Sequence, residues 1–235
     1  MERVQALIFD VFGTLVDWRG SIIRETSAIF APLGIAIDAE AFADAWQSRY
    51  RPAMEKVRSG RAPFTTLDVL LRQNLDLILS QFGLDALDDN TRAALARAWH
   101  RLDAWPDTAP GLARLRAKYL LAPCSNGNIS IMVDLARRNG LIWDAILGSE
   151  FARDYKPTAS VYLSAAAAFD CAPEQTMMVA AHSYDLAAVA ALGFRTAFIA
   201  RPDEYGPGKG ERAASVPVDY AASSLTALAD RLVGA

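Results

Sequence analysis

"LIFDVFGTLVDW", residues 7–18, is apolar from Leu7 to Phe9, breaks at Asp10, and carries Gly13 and Thr14 close behind. A strand-length run without polar alternation suits a strand covered on both faces, as inside a parallel sheet. The wider run "VQALIFDV" (4–11) is followed by others of the same kind: "YLLAPCS" (119–125), "AILGSE" (145–150), "TMMVAAHS" (176–183), "TAFIAR" (196–201) and "VPVDYA" (216–221). Helical periodicity lies between them, at 110–119, 129–140, 158–170 and 185–194. This alternation predicts βαβ units and an α/β core with a doubly wound, mostly parallel, Rossmann-like sheet.

One segment breaks the alternation. Between residue 17 and about residue 104 no strand pattern is found, only helical patterns separated by "APLGIAID", "RSGRAPF" and "GLDALDDN". Asp38 opens a helix that sets Phe42, Trp46 and Tyr50 on one stripe, and Pro52 is expected to kink or end it. "FTTLDVLLRQNLDLILSQFGL" reads as a long amphipathic helix closed by Gly83, and "DDNTRAALARAWHRL" as another. The expected organisation is a core of residues 1–16 and 105–235, interrupted by an all-helical cap subdomain at 17–104.

Composition narrows the function classes. Hydrophobic residues make up 52% of the chain and charged residues 22%, which provides for a packed core. The formal charge is −3 with no long run of one sign, so neither a nucleic-acid footprint nor a basic membrane anchor is expected. No stretch approaches the roughly 18 apolar residues of a spanning helix, and the opening residues carry charge before a strand-length run, so a cytoplasmic protein is expected. Cys124 and Cys171 are too few for a disulfide framework or a metal-ligand pattern. Apolar stripes on the cap helices permit a homodimer, although core-facing stripes look the same. The expected partner is a small molecule.

In open α/β sheets ligands bind beyond the carboxyl ends of the strands. The first strand delivers Asp10 and Thr14 there, the second Ser125 and Asn126, the loop after the third Lys156, and the fourth His182 and Asp185. Each has a purely structural reading: Asp10 as a turn cap with Gly13, Ser125 as a helix cap, Lys156 as a solvated loop charge. Their placement at four strand ends favours one shared site.

"DVFGT", "SNG", "YKP" and "AAHSYD", in this order and at these separations, resemble the four motifs of the haloacid dehalogenase-like superfamily, and within it the L-2-haloacid, or (S)-2-haloacid, dehalogenase branch. The resemblance covers nearly the whole chain, including the helical insert. It implies that Asp10 is the nucleophile, Thr14 holds its carboxylate, Lys156 neutralises it and Asp185 orders the far side of the site. It also implies that Ser125, Asn126 and the backbone N–H groups around Val11 and Phe12 bind a substrate carboxylate, and that Tyr162 belongs to the site. Phosphatases of the superfamily use a second Asp where this chain has Phe12, to protonate a leaving oxygen, and they bind Mg²⁺. A halide leaves without a proton, so Phe12 favours displacement at carbon in a drier pocket, with no metal and no cofactor.

Two positions depart from the pattern. The family sets Asn where this chain has His182, which is open to a role as water-activating base or to a structural one. The family also sets an Arg after the cap Trp to receive the halide, whereas here Gln47 follows Trp46. Arg49 is the first candidate to take its place, with Arg19 and Arg51 less constrained. Trp18, Trp46 and Trp105 are candidates for the pocket wall. The expected activity is hydrolytic dehalogenation of short 2-haloalkanoic acids. Alternatives are a phosphohydrolase, a hydrolase opening a small strained ring beside a carboxylate, and a noncatalytic ligand-binding protein.

Overall fold

The computed structural model of the chain describes residues 4–234, so residues 1–3 of the expected core segment, with their opening charges, lie outside the described residues, as does residue 235. β1 (Ala6–Phe9) is buried at every position. After the loop that bears Asp10, β2 (Val16–Asp17) leads into a helical segment. Its helices are α1 (Trp18–Phe30), α2 (Ala39–Ser48), α3 (Tyr50–Arg58), α4 (Leu67–Gln81) and α5 (Asp89–Ala96), and a 3₁₀ turn at Arg97–His100 ends it. β3 (Asp103–Ala104) returns antiparallel to β2, pairing Val16 with Ala104 and Asp17 with Asp103. The expectation of no strand between 17 and 104 is therefore corrected at its two ends. Two-residue strands are too short to show a period in sequence.

The chain continues through α6 (Thr108–Arg116), β4 (Leu120–Ser125), α7 (Ile129–Asn139), β5 (Leu147–Gly148) and α8 (Ser149–Ala152). It finishes with α9 (Ala159–Ala167), β6 (Thr176–Ala180), α10 (Ser183–Ala190), β7 (Arg195–Ile199), β8 (Tyr220–Ala222) and α11 (Leu225–Val233). The main sheet has six strands in the order β5-β4-β1-β6-β7-β8, and all its pairings are parallel. The last strand is shorter and later than the expected 216–221 run, which contains Pro217, a residue without the N–H that a ladder needs.

Side chains on β1 alternate between two apolar cores, as the strand period requires. Leu7 and Phe9 face the core that also takes α6, α7, α11 and the helical segment, while Ile8 faces the one formed with α9 and α10. β1 has β4 on one side, paired Ala6 with Leu120, and β6 on the other, paired Ala6 with Thr176. The chain thus reverses direction across the sheet beside β1, and the ends of β1, β4 and β6 share one crevice.

Inside the helical segment Asp38 caps α2 by accepting the Ala41 N–H at 3.0 Å. The break comes at Arg49, between α2 and α3, and not at Pro52. Pro52 is the third residue of α3, where its missing N–H forfeits no helical bond. Gly83 takes a left-handed φ of 69° just beyond α4. No helix among the described residues is long and apolar enough to cross a membrane.

His100 ties the helical segment to the sheet domain. Its Nε2 lies 2.8 Å from Asp68 Oδ1 on α4 and its Nδ1 lies 2.7 Å from Asp134 Oδ2 on α7. Asn128 adds a bond from Nδ2 to the other Asp68 oxygen at 2.8 Å. Replacing His100 by Ala leaves two carboxylates without their shared partner. The expected loss of stability is about 1–3 kcal/mol, measured as a lower urea midpoint at an unchanged m value.

Candidate active site

Asp10 follows β1 directly, and its backbone N–H donates to Val179 O on β6 at 3.0 Å, which fixes it in the crevice. The residue is only 6% exposed. Thr14 Oγ1 donates to Asp10 Oδ2 at 2.6 Å and accepts the Ala181 N–H at 2.8 Å, so the loops after β1 and β6 are locked together. Lys156 Nζ donates to Asp10 Oδ1 at 2.7 Å and to Asp185 Oδ2 at 2.5 Å. The Tyr162 hydroxyl donates to the other oxygen of Asp185. His182 Nδ1 lies 3.1 Å from Asp10 Oδ2, and its Nε2 lies 2.9 Å from Glu204 Oε2.

Burial alone would raise the pKa of Asp10. The Lys156 ammonium and the His182 imidazole outweigh it and hold the carboxyl well below the usual carboxylate range. Burial would likewise strip Lys156 of its proton, and Asp10 and Asp185 together hold its pKa well above the ordinary value. His182 is also buried, and hydrogen bonds to Asp10 and Glu204 push its pKa well above that of a free histidine. Burial, reinforced by the neighbouring Asp185, raises Tyr162, so its hydroxyl stays protonated and donates.

Above Asp10 lies a pocket whose walls include Phe12, Trp18, Gln47, Tyr50, Arg51 and Trp99 from the β1 loop and the helical segment. Asn126, His182, Tyr184, Glu204 and Tyr205 close it from the sheet side. It encloses about 40 Å³, which at about 10–15 Å³ per water-sized group holds roughly three or four of them. Phe12 packs edge-on against Tyr50 and Trp99, making that wall apolar. Asn126 Oδ1 accepts from the Lys156 backbone N–H and from Ser149 Oγ, both at 2.9 Å, which leaves its amide nitrogen for a ligand. The backbone N–H groups of Val11 and Phe12 make no hydrogen bond among the described residues. Ser125 Oγ does not reach the pocket wall and accepts the Gly127 N–H at 3.0 Å.

Of the arginines considered for the halide position, Arg49 does not line the pocket and Arg51 does. The helix break at Arg49 turns the chain so that Arg51 lies over the Tyr184 ring, 4.4 Å from its centroid. Arg19 is engaged elsewhere, with Asp44 at 2.7 Å and Glu40 at 3.0 Å. Trp46 is fully buried and donates to Leu71 O, so it packs rather than lines. Trp105 Nε1 donates to Gly13 O at 2.9 Å and supports the loop behind Asp10.

Glu204 escaped the sequence reading. It stands in "RPDEYGPGKG", which reads as a surface turn, within the connection at 200–219 between β7 and β8. Arg201 pins that connection, donating from Nε to Thr14 O at 2.8 Å and pairing with both oxygens of Asp107 at 2.9 Å. The available signal was its length, since long connections in compact domains tend to carry function. Glu204 also accepts from Trp18 Nε1 at 3.2 Å. A Cβ on Gly13, whose φ is +84°, would sit 2.1 Å from Glu204 Oε1, so only glycine lets this carboxylate approach the Asp10 loop. Among the described residues no cluster of three or more His, Cys, Asp or Glu side chains is arranged to hold a metal ion.

The site can therefore present an ionised, buried carboxylate to a small anionic ligand. The sequence model of the haloacid dehalogenase-like hydrolases matches residues 4–193. (S)-2-haloacid dehalogenase 1 of Pseudomonas sp. (strain CBS-3) is 28% identical over 212 residues, covering 87% of this chain and 89% of its own. (S)-2-haloacid dehalogenase 4A of Burkholderia cepacia is 26% identical over 211 residues, covering 87% and 88%. Among solved structures, a defluorinating L-2-haloacid dehalogenase superimposes with a TM-score of 0.95 at 44% identity, covering 97% of this chain and 95% of that one. Another L-2-haloacid dehalogenase does so with a TM-score of 0.95 at 46% identity, covering 99% and 100%. The match extends from β1 to α10 and takes in the strand ends that supply Asp10, Asn126, Lys156, His182 and Asp185, and the chain belongs to the haloacid dehalogenase-like hydrolase family.

Proposed function

We propose that this protein hydrolyses short (S)-2-haloalkanoic acids to 2-hydroxy acids, by displacement at carbon and without a metal ion. The observation that carries the reading is Asp10, kept ionised by Lys156 at the floor of a small pocket, with Phe12 where a proton-donating carboxylate would stand. The relatives named (S)- or L-2-haloacid dehalogenases support the substrate class. The small size of the pocket favours a short-chain acid. Residues 17–104 act as a cap over a core of residues 1–16 and 105–235, and the protein works in the cytoplasm.

Asp10 Oδ2 already accepts from Thr14 and His182, whereas Oδ1 accepts from Lys156 alone, so Oδ1 carries the free lone pair. The substrate carboxylate binds the Asn126 amide and the N–H groups of Val11 and Phe12, which sets C2 in front of Oδ1. The Oδ1–C2 bond forms as the C2–halogen bond breaks, and the halide leaves with the bonding pair toward Gln47 and Arg51. Water then attacks Cγ of Asp10 and passes a proton to Asp185. The Cγ–Oδ1 bond breaks, Oδ1 takes the proton of the new Cγ hydroxyl and leaves as the hydroxyl of the product, Asp10 is restored as a carboxylate, and Asp185 gives up its proton to solvent. A phosphohydrolase would need a donor to the leaving oxygen, which Phe12 does not supply.

Purified protein given (S)-2-chloropropionate is expected to release chloride equally with and without EDTA. A single turnover in ¹⁸O-water should place the label in Asp10 and not in the product. Absence of halide release, or Mg²⁺-dependent phosphate release from phosphate esters, would overturn the reading.

Lys156→Ala removes the cation between two buried carboxylates. Turnover is expected to be abolished, and stability to fall by about 3–5 kcal/mol, read by chloride release and chemical denaturation. Arg51→Met is expected to lower kcat/KM about tenfold or more, in the range of a lost charge-assisted contact. Arg49→Met serves as the control and should leave kcat/KM unchanged.

A further inference from the structure

The geometry points to Glu204 as a positioning residue that keeps His182 a doubly protonated donor to Asp10 Oδ2, so that ester hydrolysis uses an oxyanion donor here and not a histidine base. The inference rests on the aspartyl-ester reading and concerns its second half only. His182 stands between two carboxylates, with Asp10 Oδ2 3.1 Å from Nδ1 and the Glu204 oxygens 3.0 Å and 2.9 Å from Nε2. Ionised carboxylates only accept, so both ring nitrogens must carry hydrogen. A ring protonated at both nitrogens has no lone pair with which to take a proton from water.

The need for Glu204 arises once Asp10 is alkylated. The ester has no charge, and a buried imidazolium held by Asp10 alone would then lose its counter-ion and its proton. Glu204 is 3% exposed, is anchored by Trp18 Nε1 and is not alkylated, so its contact with Nε2 remains to hold the cation in the second half. Oδ2 is by then the ester carbonyl oxygen. When water adds to Cγ, the new negative charge falls on Oδ2, where the Thr14 hydroxyl at 2.6 Å and His182 Nδ1–H already point. That is a preorganised oxyanion site. The other charged or titratable groups around His182 are Lys156 and Asp185 behind Asp10, the Tyr184 ring with its centroid 5.5 Å away, Arg51 over that ring, and Tyr50 and Tyr205 on the pocket wall.

The two roles give opposite pH limbs. A cationic donor loses activity as pH rises through the pKa of His182, and a base loses it as pH falls. Rapid-quench measurement with (S)-2-chloropropionate separates the chloride burst from hydroxy-acid formation, and intact-protein mass spectrometry follows the ester. Glu204→Gln is expected to keep a burst near one chloride per site, slow hydrolysis about 100-fold, accumulate the ester, and bring an alkaline loss of rate down toward neutral pH. Glu204→Asp should restore part of the hydrolysis rate. His182→Asn retains a neutral donor and should turn over with no alkaline limb from this position. Unchanged hydrolysis in Glu204→Gln, or an acidic limb that moves with Glu204, overturns the assignment. A missing chloride burst in the unmodified protein overturns the ester reading itself, and this inference with it.

Discussion

The Lys156 ammonium, shared between Asp10 and Asp185, is the interaction on which the site depends. Burial alone would raise the pKa of Asp10, and the Lys156 ammonium is the first group that offsets it. Placing a lysine between the two carboxylates requires its backbone to be held as firmly as its side chain. Asn126 Oδ1 accepts the Lys156 N–H, and Arg58 from α3 donates to Lys156 O at 3.2 Å. The lysine that pairs with Asp10 is thus positioned by the loop after β4 and by the helical segment together.

Charge balance explains why the pocket tolerates an anionic ligand. Asp10, Asp185 and Glu204 face Lys156 and His182 inside, and Arg51 at the rim brings the cations level with the carboxylates. A further carboxylate in place of Phe12 would upset this. Two like charges about 4 Å apart repel by about 4 kcal/mol at an effective dielectric constant near 20. In a phosphatase a divalent cation offsets such a charge. Here Phe12 packs against Tyr50 and Trp99, and the space is apolar instead.

What the sequence disclosed followed from position along strands. Apolar runs ending in polar residues located β1, β4, β5 and β6, and with them Asp10, Thr14, Asn126, Lys156, His182 and Asp185, because strand ends in a parallel sheet converge at the point where strand order reverses. Residues whose placement depends on turns were not legible. In "WQSRYRP" the spacing from Trp46 favours Arg49, and only the break between α2 and α3 decides that Arg51 faces the pocket instead. β2 and β3 are too short to carry a period. Glu204 lies in a Gly- and Pro-rich connection whose path is set by Arg201, a tie to Thr14 and Asp107 that no local pattern encodes.

His182 and Glu204 are best understood as one feature spread over two loops. A histidine buried beside Asp10 without Glu204 would lose its one counter-ion once Asp10 is esterified, and could then present either a donor or an acceptor, depending on its tautomer. Glu204 removes that choice by adding a second acceptor at Nε2. Its own place depends on Trp18 at the start of the helical segment and on the absence of a side chain at Gly13. The glycine next to Phe12 in the opening stretch therefore does more than turn the chain after β1. It leaves room for a carboxylate that the surrounding sequence does not announce, and through that carboxylate it bears on the charge of the histidine facing Asp10.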